Sequence, residues 1–232
     1  MEVLQLEKER VAKLAQIREL IFGAQDGLLG TLGILSSMTG AFANTHITIL
    51  SGVATAVAGA LSMGTGGYLS SKAELQLYNA EMAKEKAYIA AHPDEEKTEM
   101  AQMLEAEGLS SSDAHTVTEI LARTPNSFFS TMIQKEFGIE PSPISTPLHD
   151  SIYIATSFIT CSIIPILPYI VLPVKVALPI SVVLTVCTLI ALGLIKAHII
   201  RGSYVKNALE LACIGSLAAL GGYLLGSLLL HS

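Results

Sequence analysis

The chain alternates between long apolar stretches and one long polar segment. Five apolar stretches cover residues 20–43, 47–71, 151–173, 174–199 and 204–230. Each reaches the roughly 20 residues that an α-helix needs to cross a bilayer. The polar segment, residues 72–150, separates the second stretch from the third. The pattern predicts an all-α membrane protein with five transmembrane helices and a helical domain inserted between the second and third spans.

The polar segment carries the start and stop signals of several short helices. Residues 72–91 continue the second span as a charged helix, and Pro93 suits the first position of a new helix that stops at Gly108. Ser110 resembles the cap of the next helix. We therefore expect three parts: residues 1–73 with an N-terminal amphipathic helix and two spans, residues 74–149 as the helical domain, and residues 150–232 with three spans.

Charge distinguishes the inserted domain and orients the chain. The formal net charge is −6, and residues 72–149 hold 13 acidic against 6 basic side chains. This balance argues against a nucleic-acid partner, because phosphate binding needs a basic face. Basic residues cluster before the first span and between the fourth and fifth: Lys8, Arg10, Lys13, Arg18, Lys196, Arg201 and Lys206. The N-terminus and the acidic domain are therefore predicted to be cytoplasmic, with the C-terminus on the other side.

The sequence carries no recognisable enzyme signature. It has no Glu-x-x-His pair, P-loop, HExxH or GxSxG motif. The three cysteines, Cys161, Cys187 and Cys213, lie in apolar stretches without a CxxC spacing, which is typical of buried thiols without a disulfide framework. We predict no catalytic residues and no tightly bound cofactor.

Two residues inside the first two spans have side chains with possible functions. Asp26 lies in the apolar stretch FGAQDGLLGTLG, where a carboxylate is costly and indicates function by default. The alternative is a helix cap near the membrane interface. Met63 of the second span offers a thioether, which is a soft metal ligand, although most methionines in spans only pack.

Paired acids in the polar segment are candidates for metal binding. Glu81 and Glu85 are four residues apart, and Glu96 and Glu99 are three apart, so each pair shares one face of a helix. Glu136 follows further on, one turn after Met132. Like charges at this spacing repel, and a bound divalent cation would relieve the repulsion. The alternative is a solvated acidic surface with acids that favour helix N-termini.

Several of these pieces occur together in one known family. The motifs are DGLLGTLGILSSMTGA, GALSMGTGGYLSSKAE, Tyr78-x-x-Glu81-x-x-x-Glu85, Pro93-x-x-Glu96-x-x-Glu99, and Met132 with Glu136 before Gly138. In this order the chain resembles the vacuolar iron transporter family, as a bacterial-type member with a cytoplasmic metal-binding domain. The resemblance implies a five-span homodimer in the bacterial inner (plasma) membrane that exchanges Fe²⁺ for protons.

The resemblance also implies roles for individual residues. It assigns Asp26 and Met63 to the pathway through the membrane. It assigns the metal site of the acidic domain to Glu85, Glu96, Glu99, Met132 and Glu136, and it adds Glu81 as a recurrent acid of the family.

The chain departs from the family pattern at three positions. Tyr88 stands where a ligand glutamate is expected, Ile133 replaces a second methionine, and Thr55 replaces a glutamate of the second span. The first two departures leave the acidic domain with fewer ligands, and open carboxylate sites discriminate weakly between metals. Mn²⁺ is therefore a second candidate substrate. The alternative functions are a membrane-anchored carboxylate metal sensor and a metalloenzyme.

Overall fold

The computed structural model describes residues 2–138 and 146–231. Within these residues the protein consists of eight α-helices without β-strands: α1 Glu2–Phe42, α2 Thr45–Ala91, α3 Pro93–Ala106, α4 Ser111–Ala122, α5 Pro125–Glu136, α6 Pro147–Val171, α7 Val174–Ile199 and α8 Tyr204–His231. They form two compact units, Met1–Ser70 with Pro147–Ser232, and Ser71–Thr146.

Five helices are long and apolar enough to cross a membrane, which confirms the predicted number of spans. They are α1, α2, α6, α7 and α8. The longest, α2, has 47 residues and measures about 70 Å at 1.5 Å per residue, against a hydrocarbon core of roughly 30 Å. Only part of α2 can therefore lie within a bilayer. The charged remainder after Ser71 belongs to the second unit.

Helix α1 is the central helix of the first unit. Its residues Leu28, Leu32 and Leu35 are fully buried, at a spacing that puts all three on one face. Across a close contact with α6, Ser162 donates a hydrogen bond to the carbonyl oxygen of Gly27 at 3.2 Å. A side chain at Gly27 would collide with the carbonyl oxygen of Phe158.

Glycines also bring α8 against α1. A Cβ atom at Gly222 would collide with the carbonyl oxygen of Gly33, and one at Gly226 would collide with that of Ser37. Only hydrogen fits at these two positions, four residues apart on α8. They form a small-xxx-small pair, a spacing that lets membrane helices approach closely.

The second unit is built from the end of α2 and three short helices. Met100 of α3, Ala114 of α4 and Phe128 of α5 belong to its apolar core, and Ile89 of α2 packs against them. The predicted cap is present, because Ser110 accepts a hydrogen bond from the backbone amide of Asp113 at 3.2 Å. Ion pairs link these helices: Lys97 of α3 pairs with Glu119 of α4, and Lys135 of α5 pairs with Glu107, the residue that follows α3.

Candidate metal centre

Two carboxylates of the second unit are partly or wholly withdrawn from solvent. Glu96, in the first turn of α3, is only 2% exposed, and Glu85 of α2 is half-buried. Among the described residues, Glu96 Oε2 and Glu85 Oε1 are buried without a hydrogen-bond partner. A buried polar atom that lacks a partner destabilises the fold. These two oxygens are therefore available to coordinate a cation.

The surrounding charges identify a group of four glutamates from three helices. Burial raises the pKa of Glu96 to about 7, helped by the charges of Glu85, Glu99, Glu136 and Glu95. Burial and the charge of Glu99 raise the pKa of Glu85. Burial raises the pKa of Glu136, and the charges of Glu85 and Glu99 raise it further. The structure thus brings together Glu85, Glu96, Glu99 and Glu136, which we call the carboxylate group.

Glu81 and Met132 have different surroundings. Although Glu81 lies one turn before Glu85, its carboxylate forms an ion pair with Lys84 at 2.6 Å. Met132 is fully buried and belongs to the apolar core with Met100 and Phe128. The neighbouring Ile133 is also fully buried. Met132 therefore contributes to the packing of the second unit.

Tyr88 ties the end of α2 to the start of α3. Its hydroxyl donates a hydrogen bond to Glu95 Oε2 at 3.2 Å, and its ring stacks on His92 with 4.5 Å between ring centroids. The residue in the predicted ligand position therefore bonds to an acid beside Glu96. Sequence reasoning missed Glu95 as this partner. The helix break at His92 hides the contact, because side-chain positions cannot be extrapolated across such a break.

The carboxylate group has the donor atoms that a divalent cation prefers, but its side chains are not yet in coordinating positions. Its oxygen donors match hard or borderline cations such as Mn²⁺ and Fe²⁺. Nevertheless, no three His, Cys, Asp or Glu side chains in the described ranges are already arranged to hold a metal ion. Charges within the group raise the pKa of Glu85, Glu96 and Glu136, so the four carboxylates lie near one another, but their side chains must converge further to share an ion.

The two predicted pathway residues lie in the first unit. Asp26 is exposed on α1, between the buried Gly23 and Gly27 turns that face α6, and Met63 is half-buried on α2. Phe22, Gly30 and Ile34 are also exposed, and with Asp26 they follow a four-residue spacing along α1. A carboxylate thus lies on an otherwise apolar helix face that the chain itself leaves uncovered.

Comparison with known proteins gives the same family over nearly the whole chain. A profile of the VIT family matches residues 17–227. Vacuolar iron transporter 1 of Arabidopsis thaliana is 32% identical over 216 residues, which is 93% of this chain and 86% of the relative. Vacuolar iron transporter 1 of Oryza sativa subsp. japonica is 31% identical, over 89% of this chain and 82% of the relative.

A fungal relative extends the match beyond plants. The vacuolar iron transporter cccA of Arthroderma benhamiae is 30% identical over 217 residues, covering 88% of this chain and 76% of the relative. These relatives are transporters, so the prediction that the chain is not an enzyme is confirmed. The motifs that carry the resemblance all lie within the residues that the profile matches. The chain belongs to the VIT family.

Proposed function

We propose that this protein exports a divalent metal ion, Fe²⁺ or alternatively Mn²⁺, from the cytoplasm in exchange for protons. The observation that carries the proposal is the carboxylate group, in which two buried oxygens accept no hydrogen bond from any described residue. Two further observations support it: five helices are able to span a membrane, and the relatives are named vacuolar iron transporters. No described feature favours a sensor or a metalloenzyme over transport.

Metal capture follows from the repulsion within the carboxylate group. Glu96 has a pKa of about 7 because of burial and four neighbouring acids, so near neutral pH a proton and a metal ion compete for it. A divalent ion favours the charged forms of all four glutamates and offsets their repulsion. Acidification returns protons to the group and releases the ion. This competition supports coupling between metal and protons.

Passage through the membrane is assigned to Asp26 and Met63. An ion that has lost its water needs protein ligands in the hydrocarbon region, and a carboxylate with a thioether suits Fe²⁺. The uncovered face of α1 that carries Asp26 is favourable for pairing with a second copy of the chain. In such a homodimer two Asp26 carboxylates would be available to one ion and to protons.

The basic residues support an orientation with the second unit in the cytoplasm. Lys13 and Arg18 precede the first span, while Lys196, Arg201 and Lys206 lie near the turn between α7 and α8. Cytoplasmic excess of Lys and Arg is the rule for short loops. The carboxylate group would then sample cytoplasmic metal. We place the protein in a bacterial plasma membrane, whereas its plant and fungal relatives are named for the vacuole.

The test is ion flux through proteoliposomes that contain the purified full-length protein. Fe²⁺ is supplied under reducing conditions, a pH gradient is imposed, and metal and pH are followed with separate dyes. We expect metal movement in one direction and proton movement in the other, and collapse of the gradient should slow the metal. Metal binding without flux would favour a sensor, and redox turnover without flux would favour a metalloenzyme.

A further inference from the structure

An apolar groove lies between α7 and α8 on the first unit. It has a volume of about 330 Å³ and is lined by apolar side chains, including Ile190 and Leu194 of α7 and Val205, Leu209 and Ala212 of α8. Of these, Leu194 is 41% and Leu209 59% exposed. The groove is therefore open on its outer side, where a bilayer would surround these spans.

The two helices meet closely at the end of the groove near their connecting turn. A Cβ atom at Gly193 would lie 2.7 Å from the carbonyl oxygen of Asn207 and 2.9 Å from the Cα atom of Ala208. This contact leaves no gap behind the groove at that level. From Tyr204 to Ala212 the groove runs on the order of 12 Å along α8, at 1.5 Å per residue.

A polar pair closes the end of the groove at the turn. His198 lies one helical turn beyond Leu194 and two beyond Ile190, on the same face of α7. Its Nδ1 atom is 3.0 Å from the hydroxyl oxygen of Tyr204, and the Tyr204 side chain lines the groove. Tyrosine is enriched where a membrane meets water, because its ring is apolar and its hydroxyl is polar.

The turn beside this polar pair carries an excess of basic residues. Residues 196–210 contain Lys196, Arg201 and Lys206 against a single acid, Glu210. The turn is also ordered by backbone hydrogen bonds, from the amide of Ile200 to the carbonyl of Lys196 and from Gly202 to Ala197. A turn with a net positive charge thus adjoins the end of an apolar groove at which Tyr204 and His198 lie.

We propose that this groove binds an anionic phospholipid. One acyl chain fills the groove, because its lining is apolar throughout, and the phosphate lies against the basic turn and the Tyr204 hydroxyl. Charge complementarity selects an acidic headgroup over a zwitterionic one, while the long stems of the lysines and the arginine reach along the apolar surface to the headgroup level. The proposal does not depend on metal transport.

Native mass spectrometry of the full-length protein tests the headgroup preference. The protein is released from micelles that hold phosphatidylglycerol and phosphatidylcholine with identical acyl chains. We expect several-fold preferential retention of phosphatidylglycerol, lost in the triple variant Lys196→Gln, Arg201→Gln, Lys206→Gln. A charge-matched variant, Lys13→Gln, Arg18→Gln, Lys175→Gln, should keep the preference. Equal retention of the two lipids by the unchanged protein, or equal preference in both triple variants, would overturn the proposal.

A second measurement tests the groove itself. Ala212→Phe fills the groove and should reduce the retention of both lipids, whereas Ala191→Phe, at an exposed position outside the groove, should not. Displacement of phosphatidylglycerol by inorganic phosphate would mean that the turn binds small anions only. A change of oligomeric state in Ala212→Phe without loss of lipid would mean that a second copy covers the groove. Either outcome contradicts the lipid site.

Discussion

Glu85 of α2 lies close enough to Glu96 of α3 for its charge to raise the pKa of Glu96. Each of the two side chains also keeps one buried oxygen without a hydrogen-bond partner among the described residues. The pair therefore combines repulsion with unsatisfied acceptors, and a bound cation would relieve both.

Glu96→Gln should weaken metal binding by the full-length protein and stabilise its metal-free form at pH 8. Removing one ligand should lower the affinity at least about tenfold, since even an outer-shell partner is worth that much. The metal-free protein gains stability because a buried charge and its repulsion disappear. Calorimetry with Mn²⁺ measures the affinity. Glu105→Gln, an exposed acid on the same helix, is the control. Equal loss in both variants would indicate a diffuse acidic surface.

Metal affinity should rise with pH through neutrality, while the stability of the metal-free protein should fall. Glu96 has a usual pKa of 4.5 and a folded-state pKa of about 7, so the folded protein binds the proton more tightly. This stabilisation is complete below 4.5 and is lost as pH rises through about 7. Melting temperatures of the metal-free protein between pH 5 and pH 8 test the sign. If the melting temperature of Glu96→Gln falls with pH as steeply as that of the unchanged protein, Glu96 is not the source of the pH dependence.

Tyr88→Phe and Tyr88→Glu should act in opposite directions on metal affinity. The phenylalanine removes the hydrogen bond to Glu95 and should therefore loosen the start of α3 and weaken binding a few-fold. The glutamate adds a carboxylate at the position where the family resemblance implies a ligand. It should strengthen binding at pH 8 and destabilise the metal-free protein. Identical effects of the two variants would exclude a role for this position in the metal site.

Asp26→Asn should abolish metal flux in proteoliposomes while the protein still folds and inserts. The amide cannot supply the negative charge that a dehydrated ion and a transported proton both require. Glu210→Gln removes an exposed carboxylate from α8 and should leave the flux unchanged. Flux at the unchanged rate in Asp26→Asn would remove this residue from the pathway.

Gly226→Ala should destabilise the first unit, whereas Gly221→Ala should not. A methyl group at 226 meets the backbone carbonyl of Ser37, which cannot move aside like a side chain, and such overpacking costs about 1–3 kcal/mol. A Cβ atom at Gly221 meets no described atom within 4 Å, so alanine should raise the free energy of unfolding by about 0.5–1 kcal/mol through its higher helix propensity. Thermal unfolding in detergent compares the two. Equal stability of the two variants would show that α8 moves away from Ser37 without loss of stability.

Most of the secondary structure was predictable because its signals are local. A helix that crosses a membrane needs only an unbroken apolar length, so the five spans could be counted directly. Pro93 and Ser110 begin their helices because a fixed φ angle and a side-chain cap act within one turn. The spacing of Glu96 and Glu99 likewise placed them on one face.

The tertiary structure decided which of these residues meet. Glu81 and Glu85 share a helix face by spacing, yet Glu81 pairs with Lys84 while Glu85 is partly buried beside the other acids. Glu136 affects Glu96 only because α5 folds back onto α3 across a packed core, and no periodicity within one helix extends that far. The amino-acid sequence alone determined the helices and the candidate ligands, because turns and caps act locally. The packing of separate helices determined the carboxylate group, since burial and charge repulsion arise only between surfaces brought together in space.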